Sequence, residues 1–172
     1  MRRVVLVGAT GVFGSRLAER LAGWPELELV LVARRIEPLE ALCARLVEAN
    51  ATAAITVARA DRTRPAEIVS LAPWAVIDAA GPFEKPDFDL ARAVIGAGGH
   101  WIDLADSRAF VAAFGPTLDE LACAAHSRPS FRARWNLPVQ GGGGASVAWR
   151  APRLRRAPER EFSVRFGPGA AC

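Results

Sequence analysis

The stretch VVLVGATGVFGSRLAERLA, residues 4–22, sets Gly8, Gly11 and Gly14 between an apolar run and a segment of helical periodicity. Residues 4–7 form a short Val-rich run, which suits a strand buried on both faces of a parallel sheet. In 12–22, Phe13, Leu17 and Leu21 stand four apart on one helical face, and Gly23-Trp24-Pro25 closes the segment. The spacing G-x-x-G-x-x-G is one residue wider than the G-x-G-x-x-G fingerprint, but the same physical logic applies. Gly8 permits a sharp turn off the strand, Gly11 lets backbone approach a pyrophosphate, and Gly14 lets the helix pack closely on the strand. The helix N-terminus offers free N–H groups and about half a positive charge to a phosphate. Gly8, Ala9, Thr10, Gly11, Val12, Phe13 and Gly14 are therefore candidate dinucleotide contacts, against the alternative of a merely structural turn.

The same alternation continues along the chain. Strand patterns at 27–33, 54–58, 75–80 and 100–104 are separated by helical patterns. These are a segment opened by Pro38 with Leu39, Leu42 and Leu46, then 65–71, 88–95, a short helix at 108–114 and a last one at 116–125. Strands that alternate with helices predict a parallel sheet, because each right-handed crossover needs a helix to return the chain. The expected fold class is α/β, a doubly wound parallel sheet of Rossmann type over residues 1–125.

The second strand ends in Arg34-Arg35, where a reader of the ribose 2′-hydroxyl would carry Asp or Glu. A guanidinium there can clamp a phosphate and stack on adenine, so NADP is favoured over NAD. Otherwise the two arginines are surface charges at the start of a loop. Asp61, after the third strand, could reach an adenine amino group or could start a turn. Ala80, Gly81, Pro82 and Phe83 close the fourth strand at the carboxyl edge, where ligands of open α/β sheets bind. Phe83 would there offer an apolar wall to a nicotinamide; an ordinary loop is the alternative. Asp103 ends a strand and is a weaker candidate, whereas Asp106 or Ser107 is well placed to cap the helix at 108. His100 and His126 show no triad or metal pattern, and no catalytic residue is assigned.

Of the 172 residues 51% are hydrophobic and 23% charged, the composition of a soluble globular protein. That length holds one nucleotide domain but not a full substrate domain as well. Cys43, Cys123 and Cys172 are odd in number and lack C-x-x-C spacing, so neither a disulfide framework nor a metal site is expected and a reducing cytoplasm is the simplest reading. Met1-Arg2-Arg3 followed by VVLV imitates a signal peptide, but the apolar run breaks at Gly8. The longest uncharged stretch, 135–149, contains Pro138 and four glycines, so no membrane span is expected.

The net charge of +4 is uneven: residues 1–125 carry −3 and 126–172 carry +7. Beyond 125 the periodicity stops, and Arg, Ala, Gly and Pro make 27 of the last 47 residues. This stretch reads either as a disordered tail or as a frameshifted or truncated remnant of a GC-rich gene, a matter settled by translating the other two frames. Arg153 to Arg156 could contact nucleic acid, but without interleaved aromatics a solvated tail is the better reading.

Taken together, VVLVGATGVFGSRLAERL, LVARR, DAAGPF and DLARAVIGAGGHWIDLADSRAFV resemble the NADP-binding domain of the saccharopine dehydrogenase-like family over residues 1–125. The resemblance implies a nucleotide-binding domain followed by a substrate domain that completes the site and a homodimer. It also implies hydride transfer at a carbon bonded to nitrogen in amino-acid-derived substrates. Carried over by position, it puts Gly8 to Gly14 on the pyrophosphate, Arg34 on the ribose phosphate and Gly81 to Phe83 near the nicotinamide. The chain departs from the family after Ala125, where the substrate-binding segment is expected. The Tyr and Lys mechanism of the short-chain dehydrogenases is excluded, because the chain has no Tyr. A non-catalytic dinucleotide-binding or redox-sensing module is the alternative; it would bind NADPH without consuming it.

Overall fold

Residues Val4 to Val7 of strand β1 (Arg2–Val7) are apolar on both faces and buried throughout, which places the strand at the centre of a sheet covered on both sides. The structure, a computed structural model, describes residues 1–81, 83, 87–125, 147–149 and 162–164. The other strands of the sheet are β2 (Leu27–Ala33), β3 (Ala54–Arg59), β4 (Ala75–Asp78) and β5 (His100–Asp103). Their order is β3-β2-β1-β4-β5, with every pair parallel.

Helices α1 (Val12–Leu21) and α2 (Ile36–Glu48) cover one face, and α3 (Pro65–Val69) and α4 (Asp89–Gly96) the other. Side chains alternate across a strand, so each face draws on alternate residues. Val4, Leu6, Leu29 and Leu31 pack against Ala18, Leu39, Leu42 and Leu46 on the first face. Val5, Val7, Val30 and Val32 pack against Ile68, Leu90 and Val94 on the second. Each such side chain, fully buried, contributes about 1.5–3 kcal/mol. The doubly wound α/β class expected from the periodicity is the fold observed.

Two expectations change. Phe13 does not join the buried stripe of α1 but is 62% exposed; Gly14, Ala18 and Ala22 face the sheet, flanked by Leu17 and Leu21. Close contact of Gly14 with the preceding turn fixes that face and rotates Phe13 away from it. The helices expected at 108–114 and 116–125 are one helix, α5 (Arg108–Ala125), which runs through Pro116. Gly115 carries no Cβ for the proline ring to strike, which removes one of the clashes that end helices at proline; the lost N–H donor and the crowding of the carbonyl four residues back remain as costs.

Ser107 caps α5: its Oγ accepts a hydrogen bond from the Phe110 N–H at 3.5 Å. Ser107→Ala is expected to lower stability by about 0.5–1 kcal/mol in chemical denaturation, the lower part of the range for caps because the bond is long.

The chain divides into units spanning residues 1–127 and 128–172. Described in the second are two short strands, β6 (Val147–Trp149) and β7 (Phe162–Val164), which pair antiparallel with Val147 opposite Val164. The sequence reading placed no element there. The remnant and disorder readings of that stretch, the Arg153–156 cluster and His126 lie outside the described residues.

From β1 the chain steps outward to β2 and β3, and α3 then carries it back across β1 to β4. The carboxyl ends of β1 and β4 therefore diverge side by side. This is the topological switch point, where open α/β sheets bind ligands.

Candidate functional site

The chain leaves β1 at the switch point through a turn tied to β2. Gly8 and Ala9 donate their N–H groups to the Val32 carbonyl at 2.9 and 3.2 Å. Gly8 sits at φ +76°, and a Cβ on it would lie 2.7 Å from the Ala80 Cα, so only glycine lets β1 and β4 close up here. A Cβ on Gly14 would run into the Gly8 carbonyl, which sets how closely α1 can approach. Gly11 differs: a Cβ there would meet only the Gly8 oxygen, at 3.3 Å. Its open side adjoins the first turn of α1, which has neither a side-chain cap nor an acidic residue. First-turn N–H groups have no acceptor within a helix, so this end presents uncompensated donors and positive potential. Thr10, Val12 and Phe13 are exposed around it, and Ala9 is buried beneath.

Arg34 and Arg35 follow β2 and are both exposed. With Ile36, Glu37 and Arg59 they line a shallow cleft of about 230 Å³. The parallel register sets Ala33 beside Arg59, so a third guanidinium joins the two expected ones at neighbouring strand ends. Arg35 Nε lies 4.0 Å from Glu37 Oε2 on the surface, while among the described residues Arg34 has no salt-bridge partner. A larger hollow of about 410 Å³, lined by Glu40, Cys43, Ala44, Val47, Glu48 and Val57, opens on the apolar flank of α2 and β3. It carries no cation to receive a phosphate.

Asp61 takes the role of a turn residue. Its Oδ1 accepts from both the N–H and the hydroxyl of Thr63 at 2.9 Å, and its own N–H donates to Glu67 Oε2 at 2.9 Å. The Thr63 bonds hold its carboxyl below the usual range, with Arg34 and Arg64 adding to the effect. Ala80 abuts Gly8, as described, and Gly81 follows it against the Phe83 ring, whose atoms stand 3.5 Å from where a Cβ on Gly81 would be. Pro82 lies outside the described residues. Asp103 is absorbed structurally, accepting from Trp101 Nε1 at 2.9 Å and the Ala105 N–H at 3.1 Å. His100 packs edge-on against Trp74 with centroids 4.8 Å apart.

Sequence reasoning missed Arg59 and an ion pair at the carboxyl end of β4. Asp78, the last residue of β4, is fully buried, with Oδ1 accepting from the Ala80 N–H at 3.0 Å and Oδ2 from Arg62 Nε at 2.6 Å. Burial pushes its carboxyl above the usual range; Ala80 and Arg62 oppose that shift, and neighbouring Asp103 adds to it. The signal was one acid inside the otherwise apolar run of residues 75–80. An acid that ends a fully buried strand needs a partner.

No protein-family model and no curated protein matches the chain. Among solved structures it is similar to a citronellol catabolism dehydrogenase of Pseudomonas aeruginosa PAO1, at 17% identity over 72% of this chain and 70% of that one, with a TM-score of 0.54. It is also similar to a Gfo/Idh/MocA family oxidoreductase from Vibrio cholerae, at 24% identity and a TM-score of 0.50. That match covers 73% of this chain and 36% of the other, so the chain spans about a third of the second protein's length. Among the described residues no helix is long and apolar enough to cross a membrane. At these identities the likeness is one of fold, and that fold is the doubly wound Rossmann type.

Proposed function

We propose that this chain is the NADP(H)-binding domain of a saccharopine dehydrogenase-like oxidoreductase that works by hydride transfer, its substrate bound by a further domain. One observation carries the reading: the uncapped first turn of α1, reached across the open side of Gly11, beside a cleft lined by three arginines. The residues present fit a dinucleotide carrying an extra phosphate. Gly8 to Gly14 would hold the pyrophosphate on backbone N–H groups, where no carboxylate competes. Arg34 and Arg35, with Arg59, would hold the ribose 2′-phosphate, and Ala80 to Phe83 would flank the nicotinamide. Such a cofactor supplies the hydride when bound; the protein's part is to orient it and to exclude water. The two solved structures named above, a dehydrogenase and an oxidoreductase, support this class of activity.

The test is a titration of NADPH and NADH against the protein's tryptophan fluorescence. NADPH is expected to bind the more tightly. Arg34→Ala is expected to weaken NADPH about tenfold and leave NADH unchanged, the scale of one charge-assisted phosphate contact at an exposed site. Equal affinities for the two nucleotides in the unmodified chain would overturn the assignment of the arginines, and no binding of either would overturn the function.

A further inference from the structure

Arg62 does more than neutralise Asp78. It stands in the loop between β3 and α3, sixteen residues before its partner, and its side chain is only 21% exposed. Asp78 holds the Nε side of the guanidinium. Another nitrogen reaches Asp87 Oδ2 at 3.5 Å, and the guanidinium carbon lies 5.8 Å from the centroid of the Phe83 ring. Phe83 also meets Phe110, edge-on at 5.6 Å. One planar cation thus links the loop after β3 to two residues that follow β4, and a buried carboxylate fixes the cation itself. Its charge is already matched by two carboxylates, which leaves little to offer a phosphate and suits it to holding neighbours in place.

We propose that Arg62 is a positioning residue for the nicotinamide half of the bound dinucleotide: anchored on Asp78, it holds Phe83 as a fixed aromatic wall beside the carboxyl ends of β1 and β4. The inference rests on the dinucleotide reading above. It assigns Arg62 no contact with phosphate and no part in proton transfer. Lysine cannot substitute fully, because a single ammonium on Asp78 has no second arm for Asp87 and no flat face for Phe83.

The experiment compares two probes on the whole chain: NADPH, and adenosine 2′,5′-bisphosphate, which lacks the nicotinamide. Arg62→Lys keeps a cation on the buried carboxylate and so preserves the fold, while Arg62→Met removes it and risks unfolding. Phe83→Ala removes the wall itself. Arg62→Lys and Phe83→Ala are each expected to weaken NADPH about tenfold, the scale of one lost ordered contact, and to return the emission of the bound dihydronicotinamide towards that of free NADPH. Affinity for the bisphosphate is expected to stay as it was. A general loosening of the fold would weaken both probes together, and that result overturns the proposal, as does unchanged NADPH affinity and emission in Arg62→Lys. If the unmodified chain binds the bisphosphate and NADPH alike, with no change in nicotinamide emission, the positioning role falls while nucleotide binding stands. If it binds neither, both readings fall.

Discussion

Gly14→Ala is expected to destabilise the protein by more than about 3 kcal/mol, a large share of the roughly 5–15 kcal/mol by which domains are ordinarily stable. The added methyl would overlap the Gly8 carbonyl oxygen and stand 2.8 Å from its carbon and 2.9 Å from the Ala9 Cα, all backbone atoms that cannot rotate away. Relief requires moving α1 off the sheet, and α1 carries Ala18, with Ala22 just beyond its end, into the core. Gly8→Ala is expected to behave similarly for a different reason, combining a φ of +76° with contact on the Ala79–Ala80 backbone. Gly11→Ala provides the contrast. Its backbone at φ −73° and ψ 169° is extended and suits any residue, and its methyl meets one oxygen at 3.3 Å. That variant is expected to melt within a few degrees of the unmodified protein, a cost of about 1 kcal/mol or less. Its methyl would stand on the side from which a phosphate approaches, so its NADPH affinity is expected to be lost. Thermal melts and NADPH titration of the three variants separate the roles. A Gly14→Ala protein that melts with the unmodified one would show that the tight helix approach is not required.

Those three glycines also show where a sequence is transparent. Their order between a Val run and a helical stripe predicts strand, turn and helix, because each step depends on residues near in sequence. The same holds for the alternation of Val4 and Leu6 against Val5 and Val7, which requires cover on both faces. Phe13 misled, because hydrophobicity alone nominates it for the core while the face actually buried is chosen by the smallest residue, Gly14. Gly115-Pro116 misled in the opposite sense: proline signals a break, and the glycine before it removes one of the clashes that favour one. Arg59 and Arg62 were out of reach for another reason. Arg59 reaches the arginine cleft only through the register of β3 on β2, and Arg62 meets Asp78 only after α3 has returned the chain to the far side of β1. Such partnerships are products of topology and have no local signature.

Asp78 carries the second large effect. Asp78→Ala is expected to cost about 3 kcal/mol, because it strips the Ala80 N–H of its acceptor and leaves Arg62 partly buried with, among the described residues, the exposed Asp87 as its remaining carboxylate. Asp78→Asn separates charge from shape, and its dependence on pH follows from the direction in which burial moves the carboxyl. With a folded value above the ordinary 3.8, the folded chain holds a proton that the unfolded chain has released, over the interval between the two values. Stability through this group therefore falls as pH rises from 3.8 to the folded value and is level above it. Asp61 and Glu67 run the other way: their folded values are lowered, and what they contribute is lost as pH falls through those values. Both acids are present in either protein, so their effect cancels when Asp78→Asn is compared with the unmodified chain. The stability gap between the two proteins is then expected to widen in favour of the unmodified chain on acidification towards pH 4. A pair dominated by attraction between Asp78 and Arg62 would make the gap shrink over the same range. Urea denaturation of both proteins at a series of pH values distinguishes the two, and a shrinking gap would mean that Arg62 outweighs burial at this site.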